Sequence, residues 1–149
     1  MQTIVIDHDT SELGYETNEQ LMDRLMGMGF NMQEFIFTAI IAYCDACIKA
    51  GPETFDNPMI NGEGWIHACR EALDTVKDNR SANGLINAEF MRHLMRFPRT
   101  GAMMHLVVFA ALENVAKSFI KRNRADFVDS AKTVMTAIEE RRVARARNW

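Results

Sequence analysis

Long apolar runs are scarce in this sequence: the longest, Leu106 to Leu112, has seven residues, against about 20 for a helix that crosses a bilayer. A helical membrane span is excluded. Residues 1–30 show no charged-then-apolar leader followed by small residues, which predicts cytoplasmic residence. Only three prolines punctuate 149 residues, too few for a disordered or fibrous chain. Cysteine is equally sparse, and Cys44, Cys47 and Cys69 are an odd number. A disulfide framework is therefore not expected, and the thiols are read as reduced. Residues 1–23 hold Asp7, Asp9, Glu12, Glu16, Glu19 and Asp23 with no Lys or Arg at all, and the first four of these make an acidic arm.

What is present points to one helical domain. The chain is 48% hydrophobic and 25% charged, and a chain of this length buries about 68–70% of its unfolded surface. A core can form without staples. The formal net charge of −3 hides a division: residues 1–116 carry 16 acidic and 8 basic side chains, residues 117–149 carry 4 and 9. This segregation is read either as solvated faces around a final helix whose cations suit its C-terminal dipole, or as two binding surfaces of opposite sign.

The periodicity predicts an all-α bundle of about six helices within a single domain, 1–149, with residues 1–16 as an arm that includes a short extended segment over Gln2 to Asp7. Thr17 and Gln20 make a capping box for a first helix that ends at Gly27 and Gly29. A second helix is expected from a cap at Asn31, with Glu34 three positions on, to Ala50. Its polar positions form one narrow strip, which predicts a central or partner-covered helix. Residues 51–64 make a long connection. A third helix is expected from Glu63 to Asn79, broken by Arg80 to Gly84. Asn87 caps a fourth and Thr100 a fifth, which is apolar all round in its first half. Asn123 is expected to cap the sixth, leaving a one-residue joint and a tight hairpin. Helices two and five both lack a full polar face, which predicts a homodimer.

Few residues fall into catalytic spacing. Cys44-x-x-Cys47 with His67 and Cys69 has zinc chemistry, but the pair lies inside a helix and not on a turn that could wrap a metal. These cysteines are read as small apolar residues. No Glu has a His three residues later, which excludes carboxylate-bridged sites of the bundle type. Glu16/Glu19 and Glu71/Asp74 have the form of magnesium-holding acidic pairs, the basis for a second alternative, a helical magnesium-dependent nucleotide hydrolase. His8, His93 and His105 lack partners at motif spacing. No cofactor is expected.

The stretch Leu21 to Tyr43, LMDRLMGMGFNMQEFIFTAIIAY, resembles the helix pair of the ribbon-helix-helix DNA-binding proteins through Leu21 and Leu25, Gly29 at the turn, Asn31, then Glu34-Phe35-Ile36, Ala39-Ile40 and Tyr43. Thr3 to Asp7 stands where the family has its ribbon. The resemblance covers residues 3–47 and implies an obligate dimer that regulates transcription. It departs from the family where Thr3, Val5 and Asp7 would enter the groove, since none is a cation and an acidic ribbon repels DNA.

The cations offer another site. A hairpin of the last two helices would bring Arg141, Arg142, Arg145 and Arg147 back to Arg96 and Arg99, with Trp149 beside them. Such a patch suits an acidic protein face or a nucleic-acid backbone. The sequence therefore leads to a non-enzymatic helical binding protein acting on a protein or nucleoprotein partner, an inhibitor or adaptor of the kind phages and mobile elements encode.

Overall fold

The computed structural model of the chain describes residues 15–52, 62–83, 88–95, 102–123 and 126–147. Helix takes up 90% of them, and none is in a strand. Six helices follow in order: α1 (Asn18–Met26), α2 (Phe30–Ala50), α3 (Gly62–Asn83), α4 (Ala88–Met95), α5 (Ala102–Arg122) and α6 (Val128–Arg147). The Gln2 to Asp7 segment and the caps expected at Asn87 and Thr100 lie outside the described residues.

The start of α1 is built as its residues require. Gln20 donates its backbone N–H to Thr17 Oγ1 at 3.1 Å, and Thr17 returns its own N–H to Gln20 Oε1 at 2.8 Å. Leu21, Met22, Leu25 and Met26 then form one buried stripe. The start of α2 differs from expectation. Gly29, not Asn31, is the N-cap, and no side chain caps the helix. A φ of 121° at Gly29 reverses the chain in a backbone region that side chains rarely adopt. The reversal is fixed by Gln33, whose Nε2 donates to the Met26 carbonyl at 2.8 Å. α3 also departs from the reading, continuing through Arg80–Asn83, because nothing in that stretch blocks a helical backbone before Gly84. Its first residue must be glycine, since a Cβ on Gly62 would lie 2.3 Å from the Pro52 carbonyl oxygen. The two ends of the 53–61 connection are thereby held together.

α2 is central, packed against α1, α3, α5 and α6. Phe35, Ile36, Ala39, Ile40 and Cys44 are fully buried along it. α5 is the second central helix, burying Met104, Val107, Val108, Ala111 and Leu112 against its neighbours. The expectation of a homodimer rested on both helices needing more cover than one chain could give. One chain covers most of both, and among the described residues Met28, Phe30, Leu106 and Val143 are the exposed large apolar side chains, with Phe30 on α2 and Leu106 on α5.

α5 and α6 form the expected hairpin, but with a longer joint. Asn123 does not cap α6. It takes a left-handed φ of 53° and donates its N–H to the Ile120 carbonyl at 3.1 Å, closing the end of α5. Phe127 sits just ahead of α6 and stacks on Phe119 with ring centroids 5.9 Å apart. Phe35 of α2 meets both rings edge-on, each also at 5.9 Å. This aromatic triangle locks the hairpin turn to the central helix. Each such pair adds about 0.5–1.5 kcal/mol beyond its burial.

Candidate functional site

The antiparallel hairpin sets two stripes of residues face to face. Leu106, Phe109, Ala110 and Glu113 recur on α5 at helical spacing, as do Ile138, Arg141, Arg142 and Arg145 on α6. Asn18 from the start of α1 and Trp65 from the start of α3 complete the walls of a groove of about 410 Å³. Its floor is apolar and its rim is cationic. Leu106 is 55% exposed there, a large apolar side chain at the mouth of a charged groove.

The three arginines play different parts. Arg141 is half-buried: its Nη1 donates to Asn18 Oδ1 and its guanidinium lies 5.0 Å from the centre of the Phe109 ring. Burial, with Arg145 and Arg142 nearby, pushes its pKa below the usual arginine value, while Glu16 acts in the opposite sense. Arg142 is exposed and reaches Glu139 on its own helix at 2.7 Å and Glu113 across the groove at 3.4 Å. Glu113 is shared with Lys117 at 3.1 Å. Arg145 lies over the Tyr15 ring at 5.7 Å and forms no ion pair among the described residues. On the opposite wall, burial depresses the pKa of His105 despite the nearby Glu19.

The hairpin returns the end of α6 to the start of α5, and Arg141, Arg142 and Arg145 line the groove from α6. Arg147 is exposed on a different face of α6, in a shallow depression with Met135, Glu139, Val143 and Ala144. Arg96, Arg99 and Trp149 lie outside the described residues, as do Asp7, Asp9 and Glu12 of the acidic arm. The fourth acidic residue, Glu16, holds Arg24 in a two-pronged pair, with both contacts at 2.8 Å. Sequence reasoning missed Leu106, Phe109, His105 and Asn18 as groove residues and Tyr15 as the ring beneath Arg145. The signal was the spacing of Leu106, Phe109 and Glu113, which becomes readable once the register of the hairpin is known.

The other candidate chemistry disperses. Cys44 and Cys69 are buried between α2 and α3. The Cys69 thiol is held well above its ordinary pKa by its hydrogen bond to Cys44 and by burial, and Cys47 is raised chiefly by burial. Nearby, Trp65 Nε1 donates to the Tyr43 hydroxyl at 3.2 Å. His67 is exposed, with Nε2 2.8 Å from Glu71 Oε1, so it does not converge with the thiols. Among the described residues no three His, Cys, Asp or Glu side chains are placed to hold a metal ion. Glu16, a member of the first acidic pair, is thus engaged with Arg24, while Glu71 Oε1 of the second is buried without a hydrogen-bond partner.

Two guanidiniums exposed beside an apolar floor can hold a carboxylate-bearing segment. Their planar forks match carboxylate geometry, while Leu106 and Phe109 accept its apolar side chains. No helix among the described residues is long and apolar enough to cross a membrane. No family model, curated protein or solved structure matches this chain.

Proposed function

We propose that this protein is a non-enzymatic binding module, an inhibitor or adaptor, that docks an acidic segment of a protein partner in the groove between α5 and α6. One observation carries the reading: Arg142 and Arg145 stand exposed beside Leu106 and Phe109 on a scaffold that Phe35, Phe119 and Phe127 hold together. Rigid presentation of a few charged and apolar groups lowers the entropy cost of association. The ribbon-helix-helix alternative is less well supported, because α2 is occupied on most sides by α1, α3, α5 and α6 of its own chain. The magnesium-hydrolase alternative needs acidic pairs free to bind a cation.

The test compares a fluorescently labelled peptide of alternating Glu and Leu with a duplex DNA of similar length, both by anisotropy. The reading requires saturable peptide binding that falls about tenfold or more in R142Q/R145Q, a loss of about 1.4 kcal/mol. Tight duplex binding that weakens by several powers of ten as salt rises and is unaffected by that pair of changes would support DNA recognition instead.

A further inference from the structure

A directed chain of hydrogen bonds runs from the wall of the groove into the α2–α3 interface. Trp65, which lines the groove, donates its indole N–H to the Tyr43 hydroxyl at 3.2 Å. The hydroxyl donates to the Cys47 sulfur, Cys47 donates to Cys69, and Cys69 to Cys44. Residues four apart share a helix face, so Tyr43 with Cys47 on α2 and Trp65 with Cys69 on α3 meet at one contact. All three cysteines of the sequence lie in this row. They differ in access: Cys44 and Cys69 are fully buried, while Cys47 is half-buried.

Packing alone asks for small apolar residues here, not for three sulfurs in mutual contact behind a pair of polar donors. The order of the row suits oxidation. Cys47 is the sulfur that solvent reaches, and Tyr43 and Trp65 as donors favour its thiolate while burial opposes it. Its partial opening selects an oxidant little larger than water over a bulky disulfide. Cys69 touches Cys47 from the opposite helix, in position to take up the oxidised sulfur. We propose that Cys47 is a site of oxidation by small peroxides and that Cys69 resolves it, leaving a Cys47–Cys69 disulfide between α2 and α3. In the first step the Cys47 sulfur attacks one peroxide oxygen, the O–O bond breaks, and the second oxygen leaves as water with the thiol proton. In the next step the Cys69 sulfur attacks the sulfenic sulfur, an S–S bond forms, and the hydroxyl leaves as water with the Cys69 proton. Two thiols are oxidised by two electrons, and one peroxide is reduced to two waters. Burial suppresses the Cys69 thiolate, and contact with the sulfenic sulfur offsets this through a high effective concentration. Closing the loop from Cys47 to Cys69 should raise Tm by about 5–10 °C.

The test treats the reduced full-length chain with millimolar hydrogen peroxide under native conditions, blocks the remaining thiols with iodoacetamide and maps the products by mass spectrometry. C47A and C44A, both with unchanged helical circular dichroism, are treated alongside. The expected product is a monomer lighter by two hydrogens, with peptides joined through Cys47 and Cys69 and a raised Tm that dithiothreitol reverses. C44A keeps this product and C47A loses it. An unreacted chain, sulfinic acid at Cys47 without a linkage, or a Cys44–Cys69 link that forms equally fast in C47A overturns the proposal.

Discussion

Replacing Arg141 and Arg145 separately by alanine should divide the groove into a structural and a binding part. Arg141 loses a contact with the Phe109 ring at 5.0 Å and a hydrogen bond to Asn18. A partly desolvated cation–π contact contributes about 1 kcal/mol, and a hydrogen bond from a charged donor about 1.5–3 kcal/mol, toward the lower end where water still reaches it. Packing of the aliphatic stem adds a little more. Against these, removing Arg141 relieves its burial and its repulsion from Arg145 and Arg142, which offsets on the order of 1 kcal/mol. The net cost is about 1.5–2 kcal/mol, or ~3–8 °C in Tm for a domain of this size. Arg145 has one exposed ring contact at 5.7 Å, so its loss should cost about 0.5 kcal/mol or less. Thermal unfolding followed by circular dichroism should therefore rank R141A well below R145A, while R145A has the clear effect on acidic-peptide affinity. Equal Tm values for the two variants would refute the division. Position in the sequence suggests that the double charge reversal R141E/R145E would leave the helices untouched; the contacts of Arg141 show that it should also loosen α1.

Other consequences are open to measurement. Phe35→Ala should lower stability by about 3–5 kcal/mol, moving the urea midpoint by roughly 2 M with little change in slope, and it should cost more than Phe127→Ala because Phe127 is only partly buried. His105 has a depressed pKa in the folded state, so the unfolded chain binds more protons; its contribution is fully present above the ordinary value of 6.5 and is lost as pH falls from there through the folded value. Urea titrations at stepped pH should show this acid-side slope reduced in H105Q, and an unchanged slope would exclude the assignment. Cys44 and Cys69 should resist Ellman's reagent in the native protein and react in concentrated guanidinium, since both are buried and the raised pKa of Cys69 further suppresses its thiolate. Rapid native reaction of more than one thiol would contradict the packing between α2 and α3.

The parts of the fold that local chemistry specifies could be read from the chain alone. Thr17 with Gln20, the apolar stripe of α1, the apolar surrounds of α2 and α5, and the hairpin of α5 and α6 follow from spacing and capping chemistry. The misreadings occur where one residue has two uses. Asn31 can cap a helix, but Gly29 two positions earlier already reverses the chain. Asn123 can open a helix or tolerate the left-handed turn that closes one, and the closing role won because α5 runs to Arg122. For the site, the arginines were visible as charge. Their division of labour was not, because it depends on Phe109, Asn18 and Tyr15, which only tertiary packing brings within reach.

Trp65 has a further consequence as an optical element. It is 5% exposed, its indole N–H is held by the Tyr43 hydroxyl, and its ring also lines the arginine groove. Its emission should be blue-shifted by burial and partly quenched by the thiols of the neighbouring α2–α3 interface. A segment settling in the groove changes the water and charge at one edge of that ring while leaving the other edge fixed. In a W149F background, Trp65 is the remaining tryptophan, and its spectrum would follow filling and emptying of the groove without any attached dye.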